Sequence, residues 1–172
     1  MQSGFPARNS ALTRRYPHLI GTDAAAASPF RRHCEWALGR RLDGDLLRAA
    51  AAAIAGEHCF ESFAVRGQPK PHYRCRVVHA EWRERPAERG VEFRIEADRF
   101  LHHMVRMLVG TMTGIGLGRR PLSDIDMLLA AADNSGTSPP APPQGLYFVA
   151  ATYPPSAFAA PTEDRHAALQ PN

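Results

Sequence analysis

The sequence has no long hydrophobic run and few cysteines. No segment approaches the roughly 18 uninterrupted apolar residues of a membrane helix, so we expect no membrane partner. The N-terminal residues are polar and basic and lack the apolar core of a signal peptide, which predicts a cytoplasmic protein. The three cysteines form no C-x-x-C motif and cannot all pair, which favours free thiols and argues against a structural zinc site.

Lysine is nearly absent. Of the 21 basic residues only Lys70 is a lysine, and the formal net charge is +4. Guanidinium groups suit phosphate and stack on bases, so the bias is compatible with RNA contact, although the nucleotide composition of the genome explains the bias itself more simply. Clusters are more informative than the total. Four arginine pairs are candidate phosphate contacts: Arg14-Arg15, Arg31-Arg32, Arg40-Arg41 and Arg119-Arg120.

Length and residue pattern predict one folded domain. The 172 residues can bury a normal core, and we place a domain at residues 1–154 and a flexible tail at residues 155–172, which show no periodicity. Strict alternation of apolar and polar residues from Val91 to Ala97 is typical of a sheet with one buried face. The predicted strands are residues 15–20, 33–38, 73–83, 91–98 and 146–153, with a hairpin loop at 84–90.

Helices complete the predicted fold. Asp43 is placed to cap a helix that ends near Gly56, and a further helix is expected from Ser123 to near Asp133. Residues 134–144 predict a long connection before the last strand. The simplest assembly is an α+β domain in which helices pack on one face of an antiparallel sheet.

The most informative segment runs from Arg99 to Arg106. Helical spacing predicts an apolar stripe that leaves His102 and Arg106 on the opposite side, where Arg106 points either at solvent or into a site. Adjacent histidines on a helix point apart, and no third ligand is spaced with His102 and His103, so no metal site is predicted. The two histidines bind phosphate or line a cleft in this interpretation. The predicted stripe comprises Leu101, Met104, Val105, Leu108, Met112 and Ile115, and the opposite side His102, Arg106, Gly110 and Thr113.

Five separate pieces of the chain, taken in order, resemble the C-terminal half of the TruA-type tRNA pseudouridine synthases, from roughly Phe5 to Pro154. A single piece would be weak, but five in the family's order make coincidence an unattractive explanation. The pieces are Phe5-Pro6-Ala7-Arg8 with Ser10-Ala11 and Arg14-Arg15-Tyr16; Ser28-Pro29-Phe30; Gly56-Glu57-His58-Cys59-Phe60 with Ser62-Phe63; the segment around Arg106 with Ala131-Ala132-Asp133-Asn134; and Ala141-Pro142-Pro143 to Tyr147.

The resemblance implies an activity that this sequence carries only in part. The family isomerises uridine to pseudouridine in the anticodon stem-loop of tRNA, requires no cofactor and acts as homodimers. Its catalytic aspartate lies in an upstream G-R-T-D-x-G-V-H motif, which does not occur in this sequence. The nearest string, Gly21-Thr22-Asp23-Ala24, lacks the arginine and follows Tyr16 instead of preceding it, so Asp23 is not assigned as the nucleophile. From the resemblance we expect that either Met1 is a misplaced start or the gene is truncated.

The resemblance also implies roles for individual residues. Tyr16 matches the tyrosine that lies against the flipped uracil, and Arg106 matches the arginine that pairs with the catalytic carboxylate. Leu146 matches the apolar residue beside the base. Arg15, His102 and His103 complete the predicted substrate contacts. Without the resemblance, a buried strand tyrosine, an exposed arginine and a core leucine would explain the first three residues equally well.

The chain also departs from the family pattern. His18, preceded by Pro17, replaces a second strand tyrosine, Cys59 replaces an aspartate, and Asn9 replaces a phenylalanine.

Three hypotheses follow from the sequence. The first is the C-terminal domain of a tRNA pseudouridine synthase that cannot catalyse alone. The second is a catalytically dead RNA-binding module, and the third is a structural remnant with no RNA role. The expected partners are tRNA, together with a second copy of the chain or a separately encoded N-terminal half.

Overall fold

The frame of the molecule is a six-stranded sheet in a computed structural model that describes residues 6–65 and 72–158. The strand order is β2-β1-β5-β4-β3, with β6 also pairing with β1. β1 is antiparallel to β5 and β6 but parallel to β2, so the expectation of a purely antiparallel sheet is wrong at this one pair. The strands are β1 Thr13–Gly21, β2 Trp36–Ala37, β3 Gly56–Cys59, β4 Arg74–Arg85, β5 Gly90–Ala97 and β6 Ala150–Thr152.

Four α-helices accompany the sheet in the described ranges. Asp43 caps α2 as predicted, because its carboxylate accepts hydrogen bonds from the backbone N–H groups of Asp45 and Leu46 at 2.9 and 3.1 Å. None of the helices in these ranges has the length and hydropathy of a membrane span. The helices are α1 Ala7–Ser10, α2 Gly44–Ala53, α3 Met104–Gly116 and α4 Asp124–Ala130, and 3₁₀ turns occur at Ala24–Ala27, Glu61–Phe63 and Pro155–Phe158.

The two faces of the sheet differ in chemistry, as the alternation in β5 predicts. Phe93 and Ile95 are fully buried and share one core with residues of α2, α3 and α4. Trp82 of β4 lies opposite Phe93, and its indole N–H points at the Met112 sulfur of α3 at 3.4 Å. The other face carries charged side chains in ion pairs, including Arg94 with Glu92. The α+β architecture with helices on one face is therefore confirmed.

Several element boundaries differ from the predictions. The second predicted strand shrinks to two residues and the last to Ala150–Thr152, although Tyr147 and Val149 still donate backbone hydrogen bonds to Pro17 and Arg15 of β1. β3 was not predicted. Of the predicted tail, residues 155–158 form a 3₁₀ turn with Ala157 buried, and residues 159–172 lie outside the described residues.

α3 corrects the predicted arginine helix in two ways. It begins at Met104, so His102 and His103 precede it instead of lying on it. The side opposite the apolar stripe is also covered, because Gly110 and Thr113 are buried. The segment of residues 138–145, called here the 138–145 segment, crosses this side so closely that a Cβ on Gly110 would overlap the Pro139 carbonyl oxygen. Four residues were predicted to lie opposite the apolar stripe. Of these, only Arg106 is both on the helix and partly exposed.

Candidate functional site

β1 presents Tyr16 on the helix-covered face of the sheet. Tyr16 lies directly opposite the buried Ile95 of β5, and cross-strand neighbours point to the same face. Its ring meets Phe100 edge to face at a centroid distance of 5.1 Å and lies tilted against Phe148 at 5.5 Å. These contacts fix the orientation of the tyrosine while leaving it only partly buried.

The first turn of α3 places Arg106 beside Tyr16. The Arg106 Nε–H donates to the Ala141 carbonyl oxygen at 2.6 Å, and the Ala141 N–H donates to the Arg106 carbonyl oxygen at 2.9 Å. The Arg106 Nη1 atom lies 3.5 Å from His103 Nε2. The guanidinium is thus held by the backbone at its Nε atom and has the His103 imidazole beside Nη1.

These side chains line one cleft with a volume of about 310 Å³. Leu146 forms part of the wall, where an isolated bridge pairs it with His18 of β1. The structure therefore brings together five of the six predicted site residues: Tyr16, His102, His103, Arg106 and Leu146. Phe100 and the residues between it and Arg106 complete the lining.

The cleft holds a cation that has no acidic partner in the described part of the chain. None of the ion pairs among residues 6–65 and 72–158 includes Arg106. Burial, and then the charges of His102 and Arg106, lower the pKa of His103, which favours a neutral imidazole. The N-terminus of α3 adds the positive end of a helix dipole. The arrangement is suited to an anion supplied from outside the described residues.

The two histidines are arranged differently from the prediction. Their rings do not point apart but lie together, with centroids 4.1 Å from each other. The reason is that both precede α3 and that His103 adopts a left-handed backbone with φ of 63°. Within the described ranges, no three His, Cys, Asp or Glu side chains are placed to hold a metal ion.

Arg15 lies apart from the cleft. Successive strand residues point to opposite faces, so Arg15 projects from the charged face when Tyr16 faces the helices. Its guanidinium pairs with Glu96 at 2.7 Å, and hydrogen bonds from Thr13 and then Arg15 lower the pKa of Glu96. The structure does not place Arg15 within reach of a base that lies against Tyr16.

Within the described part of the chain, some arginines of the other predicted pairs form ion pairs with acidic side chains and others do not. Arg31 pairs with Asp23 and with the buried Glu35, and Arg120 pairs with Asp124. Asp23 is thus engaged in holding the loop after β1, which agrees with leaving it unassigned as a nucleophile. Arg40, Arg41 and Arg119 are exposed and show no side-chain partner among the described residues.

Sequence reasoning missed three contributors to the site. Phe100 and Phe148 support Tyr16, and only their nearness in sequence to matched residues pointed to them. His18, noted only as a departure, is fully buried beneath the cleft, where its Nε2–H donates to the Pro142 carbonyl oxygen at 3.1 Å. Burial lowers the pKa of His18 to about 4, and the nearby charge of Arg106 acts in the same direction.

Comparison with known proteins adds independent information about this site. A family model described as tRNA pseudouridine synthase matches residues 50–154, which include Arg106 and Leu146. The chain belongs to the tRNA pseudouridine synthase family. The predicted resemblance is therefore confirmed at the level of the family.

Individual relatives match a larger share of the chain than the family model does. The chain is 36% identical over 156 residues to tRNA pseudouridine synthase A of Xanthomonas euvesicatoria pv. vesicatoria (strain 85-10), and equally to that of Xanthomonas oryzae pv. oryzae (strain PXO99A). It is 35% identical over 151 residues to that of Polaromonas naphthalenivorans (strain CJ2). Each match covers 87% of this chain but only 57% of the relative, so this family member spans little more than half the length of those relatives.

Proposed function

We propose that this chain forms the base-stacking and arginine-bearing wall of a tRNA pseudouridine synthase active site. The reaction is isomerisation of a uridine in the anticodon stem-loop, in which the glycosidic bond is cleaved, the uracil turns, and the ring is rejoined to ribose through carbon. The chain belongs to the family and matches synthases over 87% of its length, which supports this assignment.

One observation carries the proposal: Arg106 is a partly buried cation that has backbone and histidine neighbours but no carboxylate among the described residues. A partly buried charge has lost part of its hydration, and an opposite charge beside it compensates for that loss. An aspartate nucleophile placed against Arg106 would complete an ion pair, and the guanidinium would keep that carboxylate ionised and therefore nucleophilic. The sequence has no G-R-T-D motif, so this aspartate comes from residues outside it.

Tyr16 and Leu146 supply the surface for the target base. A uridine in a stem-loop must leave its stack to reach the nucleophile, which costs a few kcal/mol. Stacking on an aromatic ring returns about 1 to 3 kcal/mol. Phe100 and Phe148 hold the Tyr16 ring in place before the base arrives, so little rotamer freedom is lost on binding.

The remaining predicted contacts take outer roles. His102, which is exposed at the mouth of the cleft, and His103 lie where a phosphate flanking the target nucleotide would pass. A phosphate contact by Arg15 would lie outside the cleft, since Arg15 projects from the other face of the sheet. The partners are tRNA and a polypeptide that carries the aspartate motif, either in a homodimer or as a separately encoded half, in the cytoplasm. No cofactor takes part.

The test measures pseudouridine formation and binding separately. The full chain is incubated with a tRNA substrate alone, and in parallel with a polypeptide that spans the part of the Xanthomonas euvesicatoria synthase outside the match. We expect no product from the chain alone and product from the mixture. Turnover by the chain alone would overturn the dependence on an external aspartate.

Binding distinguishes the remaining hypotheses. Salt-sensitive tRNA binding without turnover in either mixture would favour the catalytically dead RNA-binding module, because phosphate contacts release counterions. Absence of tRNA binding by the chain and by the mixture would favour the structural remnant.

A further inference from the structure

His103, at the edge of the cleft, has a left-handed backbone conformation, which is unfavourable for most residues that carry a side chain. Among the described residues, only Arg89 and His103 have positive φ without being glycine. Arg89, with φ of 46°, lies in the turn between β4 and β5, where hairpins commonly require such geometry. His103, with φ of 63°, is instead the residue that precedes α3.

The start of α3 also lacks a capping hydrogen bond from a side chain. Residues at this position are usually Ser, Thr, Asp or Asn in an extended conformation, with a side-chain oxygen that accepts a hydrogen bond from the first turn. His103 is left-handed, and its side chain makes no capping hydrogen bond. Its carbonyl accepts from the Met107 N–H, so the helix begins here without that stabilisation.

The left-handed conformation of His103 places its imidazole between His102 and Arg106. The ring lies tilted against that of His102, and its Nε2 atom lies 3.5 Å from Arg106 Nη1, whereas Ala141 accepts from Nε. A neutral imidazole with a bare Nε2 accepts from a guanidinium without repelling it. Backbone strain that persists at a site is a reason to look for a role there.

We propose that His103 is a positioning residue, whose left-handed backbone sets its imidazole as a second anchor that orients the Arg106 guanidinium toward the cleft. This inference rests on the proposed function only for its consequence in RNA binding. The orientation of Arg106 itself is a property of this chain and is measurable without RNA.

Substitution by glycine separates strain from function. In His103→Gly the positive φ carries no penalty, so the chain keeps or gains resistance to urea, while Arg106 loses one anchor. We expect the Arg106 Nη1 protons, which face His103, to exchange with water severalfold faster in NMR spectra, and the affinity for a labelled anticodon stem-loop to fall about fivefold to tenfold. His103→Gln extends about as far as the imidazole Nε2 and offers an acceptor, so it should restore slow exchange and part of the affinity. His103→Asn tolerates the left-handed conformation but is too short to reach Arg106, so it should behave like His103→Gly.

Arg89→Gly is the matched control for strain. Among the described residues, Arg89 is the other non-glycine residue with positive φ, and glycine adopts that conformation without strain. The substitution should leave Arg106 exchange at the wild-type rate. Wild-type Arg106 exchange in His103→Gly would overturn the proposal and reduce His103 to a backbone turn. If the wild-type chain binds no RNA, the proposed function fails, yet the exchange measurement still decides the role of His103.

Discussion

Arg106 and Ala141 hold each other through two hydrogen bonds that run in opposite directions. The Arg106 Nε–H donates to the Ala141 carbonyl at 2.6 Å, and the Ala141 N–H donates back to the Arg106 carbonyl at 2.9 Å. A side chain on α3 is therefore tied to a segment 35 residues away in sequence. The orientation of the guanidinium depends on both the helix and the 138–145 segment.

Removing the Arg106 guanidinium should weaken RNA binding. We expect Arg106→Gln to lower the affinity of the full chain for tRNA about tenfold to hundredfold, since a charged hydrogen-bond donor is worth about 1.5 to 3 kcal/mol. Arg106→Lys keeps the charge but not the planar fork, and should recover only part of this. Fluorescence anisotropy with labelled tRNA measures both. Arg83→Gln removes the same charge from an ion pair with Glu81 on the other face of the sheet, and an equal loss there would show a nonspecific charge effect.

Tyr16 is expected to act through its ring rather than its hydroxyl. Tyr16→Phe should bind tRNA within about twofold of the wild type, whereas Tyr16→Ala should lose about 1 to 3 kcal/mol of binding free energy. Because the alanine variant also loses contact with Phe100, urea unfolding is measured alongside to confirm that it is folded. A large loss in Tyr16→Phe would contradict stacking as the main role.

Close packing of the 138–145 segment on α3 predicts a steric effect at Gly110. A methyl group there would overlap the Pro139 carbonyl oxygen, so Gly110→Ala should lower the free energy of unfolding by about 1 to 3 kcal/mol. The control is Gly44→Ala at the start of α2, where the new Cβ meets only the flexible end of Arg48. That variant should be neutral or up to about 1 kcal/mol more stable. Equal effects of the two substitutions in urea unfolding would refute the packing argument.

His18 predicts a specific loss of stability in mild acid. Its folded pKa of about 4 lies below the ordinary value of 6.5, because burial disfavours the charged form. The unfolded chain therefore binds the additional proton between these pH values. The contribution is complete above pH 6.5, falls as the pH is lowered, and is fully lost below about pH 4, by about 3 kcal/mol.

A variant without the titrating group isolates this effect. His18→Gln should be less stable than the wild type at pH 7 but show a flatter dependence of the unfolding free energy between pH 6.5 and 4. The other histidines are common to both proteins, so the difference between the two curves reports His18. Parallel curves would mean that His18 does not drive the acid response.

The fold was predictable where the pattern was strong. The alternation from Val91 to Ala97 and the cap at Asp43 each identified an element correctly, because burial of one face and a local hydrogen bond are encoded within a few residues. Gly56–Cys59 carries no such alternation and becomes β3 only because β4 offers it an edge. Such pairing is a tertiary effect that local sequence does not contain.

The fold brings together most of the side chains predicted for a site, but the sequence did not predict their geometry. The family resemblance pointed to Tyr16, Arg106 and Leu146, which the fold brings to one cleft. It could not show that His103 would leave the helix in a left-handed conformation, since helical periodicity assumes regular backbone. Nor could it show that His18 would reach the Pro142 carbonyl, because that contact joins positions 124 residues apart.

This wide separation shapes how the cleft assembles. Tyr16 enters the sheet from one end of the described chain, and Leu146 reaches its neighbour His18 only after β5 and α3 have been made. Closing such long loops is entropically costly and slows folding. During synthesis, β1 is made before the residues that pack on it. Tyr16 therefore cannot contact Phe100 and Phe148 until those later residues have been synthesised. The cleft therefore cannot be complete before residues 146–148 have been synthesised and have reached β1.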